Sequence, residues 1–78
     1  MENKYTEFKE IRPGVWEIWN KIYNYRVGEI RKERMGQWMH WQLFGDAGVG
    51  FSNGCLKEIS AFITKLYGRS KNETEHHN

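Results

Sequence analysis

The chain has 78 residues, with 12 basic and 10 acidic side chains for a net charge of +2, one cysteine, one proline and four tryptophans. That length gives one domain with a small core and no large internal active-site cavity, and the near-balanced charge lacks the basic excess of proteins that hold nucleic acid by phosphate attraction alone. A lone cysteine makes no internal disulfide, the opening MENKYTEFKE has no apolar signal core, and no run approaches the roughly 18 apolar residues of a membrane span. The expectation is a soluble protein of the reducing cytoplasm without membrane contact.

Residues 1–12 mix charged and polar side chains with Tyr5 and Phe8, and Pro13-Gly14 then punctuates the chain. They read as a loosely held N-terminal arm whose two aromatics are able to dock on the domain at 13–68. From Val15 to Phe44 the composition is that of strands, rich in Trp, Ile, Val, Tyr and Phe. Three strands fit, at about Val15 to Asn20, Tyr25 to Glu33 and Gln37 to Phe44, with turns at Lys21 to Asn24 and Arg34 to Gly36. Short sequential turns make this an antiparallel meander. Period-two alternation places Trp16 and Ile18, and Met39, Trp41 and Leu43, on the face toward the helix. The middle strand is ambiguous: Tyr25 and Val27 share one parity, Ile30 has the other, and Gly28 between them is suited to a bulge.

The linker Gly45 to Ser52 holds Gly45, Gly48 and Gly50 and offers a short fourth strand at Val49 to Phe51. A phosphate-loop reading lacks the Gly-Lys-Ser/Thr ending and the surrounding βαβ unit, so the linker reads as a turn from sheet to helix. In NGCLKEISAFITKLY, Leu56, Ile59, Phe62, Ile63 and Leu66 recur at helical spacing, with Lys57, Glu58, Ser60, Thr64 and Lys65 opposite. Ser52 or Asn53 is placed to cap the start of this helix and Gly68 to close it. The remainder, residues 69–78, is polar throughout and reads as a disordered tail in which the match Asn72-Glu73-Thr74 to a glycosylation acceptor carries no weight.

Chemistry-bearing groups are sparse. Cys55 in the first helical turn and His40 make a Cys/His pair conceivable, but Cys55 lies at helical spacing from Ile59 and Phe62 and fits a small core cysteine better. His76 and His77 fall in the tail, no zinc-ligand spacing occurs, and the acidic residues are dispersed. No catalytic residue, cofactor site or metal site is expected.

The aromatic load is the positive signal. Alternation that buries Trp16 and Trp41 turns Trp19 and Trp38 outward, and Arg26, Arg31, His40 and Gln42 are expected beside them. Trp and Arg together mark protein-interface hot spots, and the same set stacks on bases and pairs with phosphate. Tyr25-Arg26, Gly36-Gln37-Trp38 and the closing helix resemble the element order of AP2-type and integrase N-terminal DNA-binding domains, over about Tyr25 to Tyr67. That resemblance implies DNA contacts at Arg26, Arg31 and Trp38. In style, a small Trp-rich domain is also similar to accessory proteins of phages and mobile elements that bind and inhibit host proteins. The sequence therefore predicts an α+β domain, an antiparallel meander of three to four strands with one C-terminal amphipathic helix on one face. Its expected work is non-enzymatic binding of a protein partner through Trp19, Arg26, Arg31, Trp38, His40 and Gln42. Nucleic-acid binding by the same face and homodimerisation are the alternatives.

Overall fold

The structure is a computed structural model that describes the backbone of residues 3–76 and the side chains of residues 3–68. Strands β1 (Thr6–Arg12), β2 (Val15–Asn20), β3 (Tyr25–Met35) and β4 (Trp38–Gly45) precede helix α1 (Asn53–His76). The strands pair in sequence order, each antiparallel to the next, so the chain is an α+β meander with one C-terminal helix. Two-residue connections close two of the hairpins. Gly14 (φ 81°) follows Pro13 between β1 and β2, and Gly36 (φ 65°) turns β3 into β4. Between β2 and β3 the Asn20 side-chain oxygen accepts from the amides of Ile22 and Tyr23, and Asn24 takes the left-handed conformation at φ 56°.

Register sorts the two faces. Phe8 stands opposite Ile18, Trp16 opposite Ile30, Ile30 opposite Leu43 and Lys32 opposite Trp41. These form the helix-facing side, where Ile18, Val27, Ile30, Cys55, Ile59 and Leu66 make the buried core. Phe62 of α1 stacks on Phe8 with ring centroids 4.0 Å apart and meets the edge of Trp16 at 4.9 Å. The ambiguous parity of β3 is resolved by a bulge: Ile18 lies opposite Gly28 and Trp19 opposite Arg26, which leaves Val27 as the extra residue. Val27 and Ile30 are thereby both buried, at 1% and 0% exposure.

Several expectations are corrected. The fourth strand is β1, drawn from the segment expected as a loose arm, while Val49 to Phe51 is irregular and packs Val49 and Phe51 against the core. What holds β1 is visible at its start. The Glu58 carboxylate accepts from the backbone amides of Lys4 at 2.8 Å, Tyr5 at 3.1 Å and Thr6 at 2.8 Å, and also from the Thr6 hydroxyl. Glu58, expected on the solvent side of the helix, thus faces the sheet, and the buried stripe is rotated so that Leu56 is 44% exposed and Ile63 only half-buried. Gly54 allows the turn of α1 beneath Tyr5, since a Cβ there would lie 2.6 Å from the Tyr5 ring. Ser52 supplies the helix cap, its Oγ accepting from the Cys55 amide at 3.2 Å. Gly68 does not end the helix: it has no positive φ, and the backbone stays helical through His76, into the segment expected to be disordered. A mid-helix glycine costs about 1 kcal/mol against alanine, and the following residues include no proline to stop the turn. The side chains of residues 69–76, and His77 and Asn78 altogether, lie outside the described residues.

Candidate functional site

The face turned away from α1 is built from the opposite parity. Register puts Trp19 opposite Arg26, Glu17 opposite Glu29, Glu29 opposite Phe44, Arg31 opposite Gln42, Glu33 opposite His40 and Met35 opposite Trp38. Trp19, Arg26, Arg31, Trp38, His40 and Gln42 all therefore lie on one side of the sheet, away from the core.

They do not form a uniform surface. Away from the β3–β4 hairpin, Arg26 of β3 is shared among three carboxylates: Glu17 at 2.8 Å, Glu29 at 2.9 Å and Asp46 at 3.1 Å. Arg31 donates to the other oxygen of Glu29 and lies over the Phe44 ring at 4.5 Å. Lys9 lies over Trp19 at 4.4 Å, and the Trp19 indole donates to Glu17 at 3.2 Å. Glu29 is the one of these that is buried, at 8% exposure, which is sustainable because two guanidinium groups satisfy its oxygens. The Arg31 bond, then the Arg26 bond, hold the Glu29 carboxyl below its usual range against the opposing effect of burial. Arg26 is pushed above its ordinary value chiefly by the Glu29 hydrogen bond, with burial opposing and Asp46 and Glu17 adding.

Sequence patterning placed the arginines on this face but missed the three carboxylates that engage them. Glu17 and Glu29 have the right parity to have been found; Asp46 was assigned to the linker, and its approach depends on how β4 ends.

At the other end the surface changes character. Trp38 is 71% exposed and Met35, directly opposite it, 54%, at the tip of the β3–β4 hairpin where the described residues supply no covering element. His40 and Gln42 are half-buried between the two regions, with the Gln42 amide 3.0 Å from the Met35 sulfur. The face is an ion-paired platform leading to an exposed aromatic tip.

The conceivable Cys55/His40 pair is not formed: Cys55 is buried on the helix side of the sheet and His40 faces the other way. Among the described residues no cluster of three His, Cys, Asp or Glu side chains is placed to hold a metal ion. Nor, among these residues, is any helix long and apolar enough to cross a membrane. Comparison with protein-family models, with curated proteins and with solved structures finds no match, so the fold class and the surface stand on the molecule's own geometry.

A pH dependence follows from the two engaged carboxylates. Burial pushes the Glu58 carboxyl up, but the Thr6 hydroxyl and the amides of Lys4, Tyr5 and Thr6 together outweigh it and leave the group below its usual range. Glu29 is lowered as well. A carboxyl lowered in the folded state contributes stability that is fully present above its unfolded pKa, about 4.3, and is lost as pH falls through the lower folded value. The melting temperature should therefore drop between about pH 5 and about pH 3, and the drop should be shallower in Glu58→Gln, which has no charge to lose there. Parallel curves for parent and variant over that range would show that the amide cluster does not hold Glu58 ionised.

Proposed function

We propose that this chain is a non-enzymatic binding module that recognises a protein partner through the sheet face opposite α1, with Trp38 as the projecting anchor. The observation that carries the reading is the pairing of the arginines beside it. Arg26 and Arg31 meet Glu17, Glu29 and Asp46, two positive groups against three negative ones, so the region that a phosphate backbone would need is already neutralised from within. Exposed Trp and Met next to a platform whose arginines are already paired is the composition of a protein contact, where aromatic area and a desolvated centre dominate the binding energy. Trp19, half-buried under Lys9, and His40 and Gln42 would contribute the flanking contacts. A regulator or inhibitor of a host protein, of the kind small phage accessory proteins supply, fits this architecture. DNA or RNA binding through the same face is the competing reading.

The experiment is a capture from cell lysate with and without nuclease, using the parent chain and Trp38→Ala. A protein retained after nuclease and lost with Trp38→Ala is the expected result, with affinity weakened by about 2 kcal/mol or more while circular dichroism stays native. Affinity for that protein should change little between about 50 and 200 mM salt. Retention of nucleic acid, with affinity falling by roughly three to five decades over the same salt range, would replace the proposal with nucleic-acid binding.

A further inference from the structure

We propose that the free edge of β4 pairs antiparallel with β4 of a second copy of this chain, about a two-fold axis at Trp41, joining two four-stranded sheets into one. The two outer strands of the sheet are built differently. β1 carries Glu7, Lys9, Glu10 and Arg12, breaks register between Glu10 and Arg12 and is followed by Pro13, all devices that discourage a further strand. β4, WMHWQLFG, has no Lys, Arg, Asp, Glu or Pro and keeps unbroken register with β3 along its length. Among the described residues nothing pairs with its outer side as a strand.

The occupant is specified by the hydrogen-bonding sense and the order of residues. The Trp41 amide donates to the Tyr67 hydroxyl at 2.9 Å, so it points away from β3. Alternation along a strand gives Met39 and Leu43 the same outward sense. An antiparallel partner must set outward residues opposite outward residues. Centring the axis on Trp41 does so, pairing Trp41 with its own counterpart and Met39 with Leu43 of the second copy, for about six main-chain bonds.

That register also matches side chains, because the strand reads alike from both ends. Trp38 and Phe44 are aromatic, Met39 and Leu43 apolar and unbranched at Cβ, and His40 and Gln42 polar, in mirror order about Trp41. Every cross-strand pair in the proposed ladder is therefore of like chemistry, with no charge set against apolar surface. On the helix side the pairing brings together the exposed apolar side chains beside the edge: Met39 at 47%, Leu43 at 40% and Tyr67 at 41%. Among the described residues the Tyr67 hydroxyl is the group that must yield, since it occupies the Trp41 amide that the second copy would take.

The test is sedimentation of the full chain alone over about 1 to 500 µM, where a dimer of this kind shows a concentration-dependent mass. Since no partner is present, its failure leaves the outer-face reading standing, and failure of that reading leaves this one. The parent should dimerise. The double variants H40K/Q42K and H40E/Q42E should each sediment as monomers, because the register sets position 40 of one copy against position 42 of the other and so opposes like charges. Mixed one to one, the two variants should recover a dimer, which a folding defect in either cannot imitate. Y67F, which frees the Trp41 amide, should dimerise about tenfold more tightly, since two competing hydrogen bonds are removed per dimer. A parent that stays monomeric throughout, charge variants that dimerise as the parent does, a mixture that fails to dimerise, or a Y67F that dimerises more weakly would each contradict the proposal.

Discussion

Replacing Ile59 with alanine should cost about 2 to 5 kcal/mol, a large share of the stability of a domain this size. Ile59 is 2% exposed and belongs to the cluster formed with Ile18, Val27, Ile30, Cys55 and Leu66, where the helix meets both central strands. The sheet beneath it cannot collapse into the space, because its backbone is fixed by pairing on both sides of β2 and β3. Leu56→Ala is the internal control. Leu56 is 44% exposed, and its loss should fall below about 1 kcal/mol. Thermal or urea unfolding of the two variants checks the rotation of α1 on the sheet: equal losses, or a larger loss at Leu56, would mean that the helix presents a different face.

Gly28→Ala should be comparably damaging for a different reason. A Cβ at this position would lie 2.3 Å from the Phe44 carbonyl oxygen, which is backbone of the neighbouring strand and not the end of a movable side chain. Accommodating it means separating β3 from β4 next to the bulge that buries Val27. A loss of about 3 kcal/mol, at the upper end for overpacking, is expected, with faster amide exchange along β4. Gly36→Ala supplies the contrast. Gly36 has open space around it but a φ of 65°, so only the left-handed conformation is penalised, at about 1 to 2 kcal/mol. Should Gly28→Ala melt with the parent, the close approach of the two strands is not as described.

How much of this was legible in the sequence follows from which interactions are local. β2 was readable to its ends and the faces of Trp16, Ile18, Trp41 and Leu43 were readable, because alternation depends only on neighbours in the chain. Gly28 announced the bulge, for the same reason. β1 was not readable. Its alternation of Phe8 with charged residues is that of a polar edge strand, and the contact that fixes its start comes from Glu58, 52 to 54 residues away. That one carboxylate also explains the misplaced helix stripe: periodicity put Leu56 inward and Glu58 outward, whereas the need of the Lys4, Tyr5 and Thr6 amides for an acceptor turns Glu58 toward the sheet. The six candidate contact residues share a face as alternation requires, but their electrostatics differ from expectation. Arginines counted as available for a partner are engaged by acids on the same face, and Trp38 is left as the exposed aromatic at the hairpin tip.

The four tryptophans provide the measurement that bears most directly on the proposed contact face. Trp16 and Trp41 pack on the helix side of the sheet, while Trp19 and Trp38 lie on the other, so their indole N–H resonances report the two faces separately in one spectrum. Titrating labelled protein with the protein partner recovered by capture should shift or broaden the Trp38 indole first and the Trp19 indole with it, and leave those of Trp16 and Trp41 in place. Perturbation confined to Trp16 and Trp41, with Trp38 unmoved at saturation, would contradict the account and put the binding surface on the helix side.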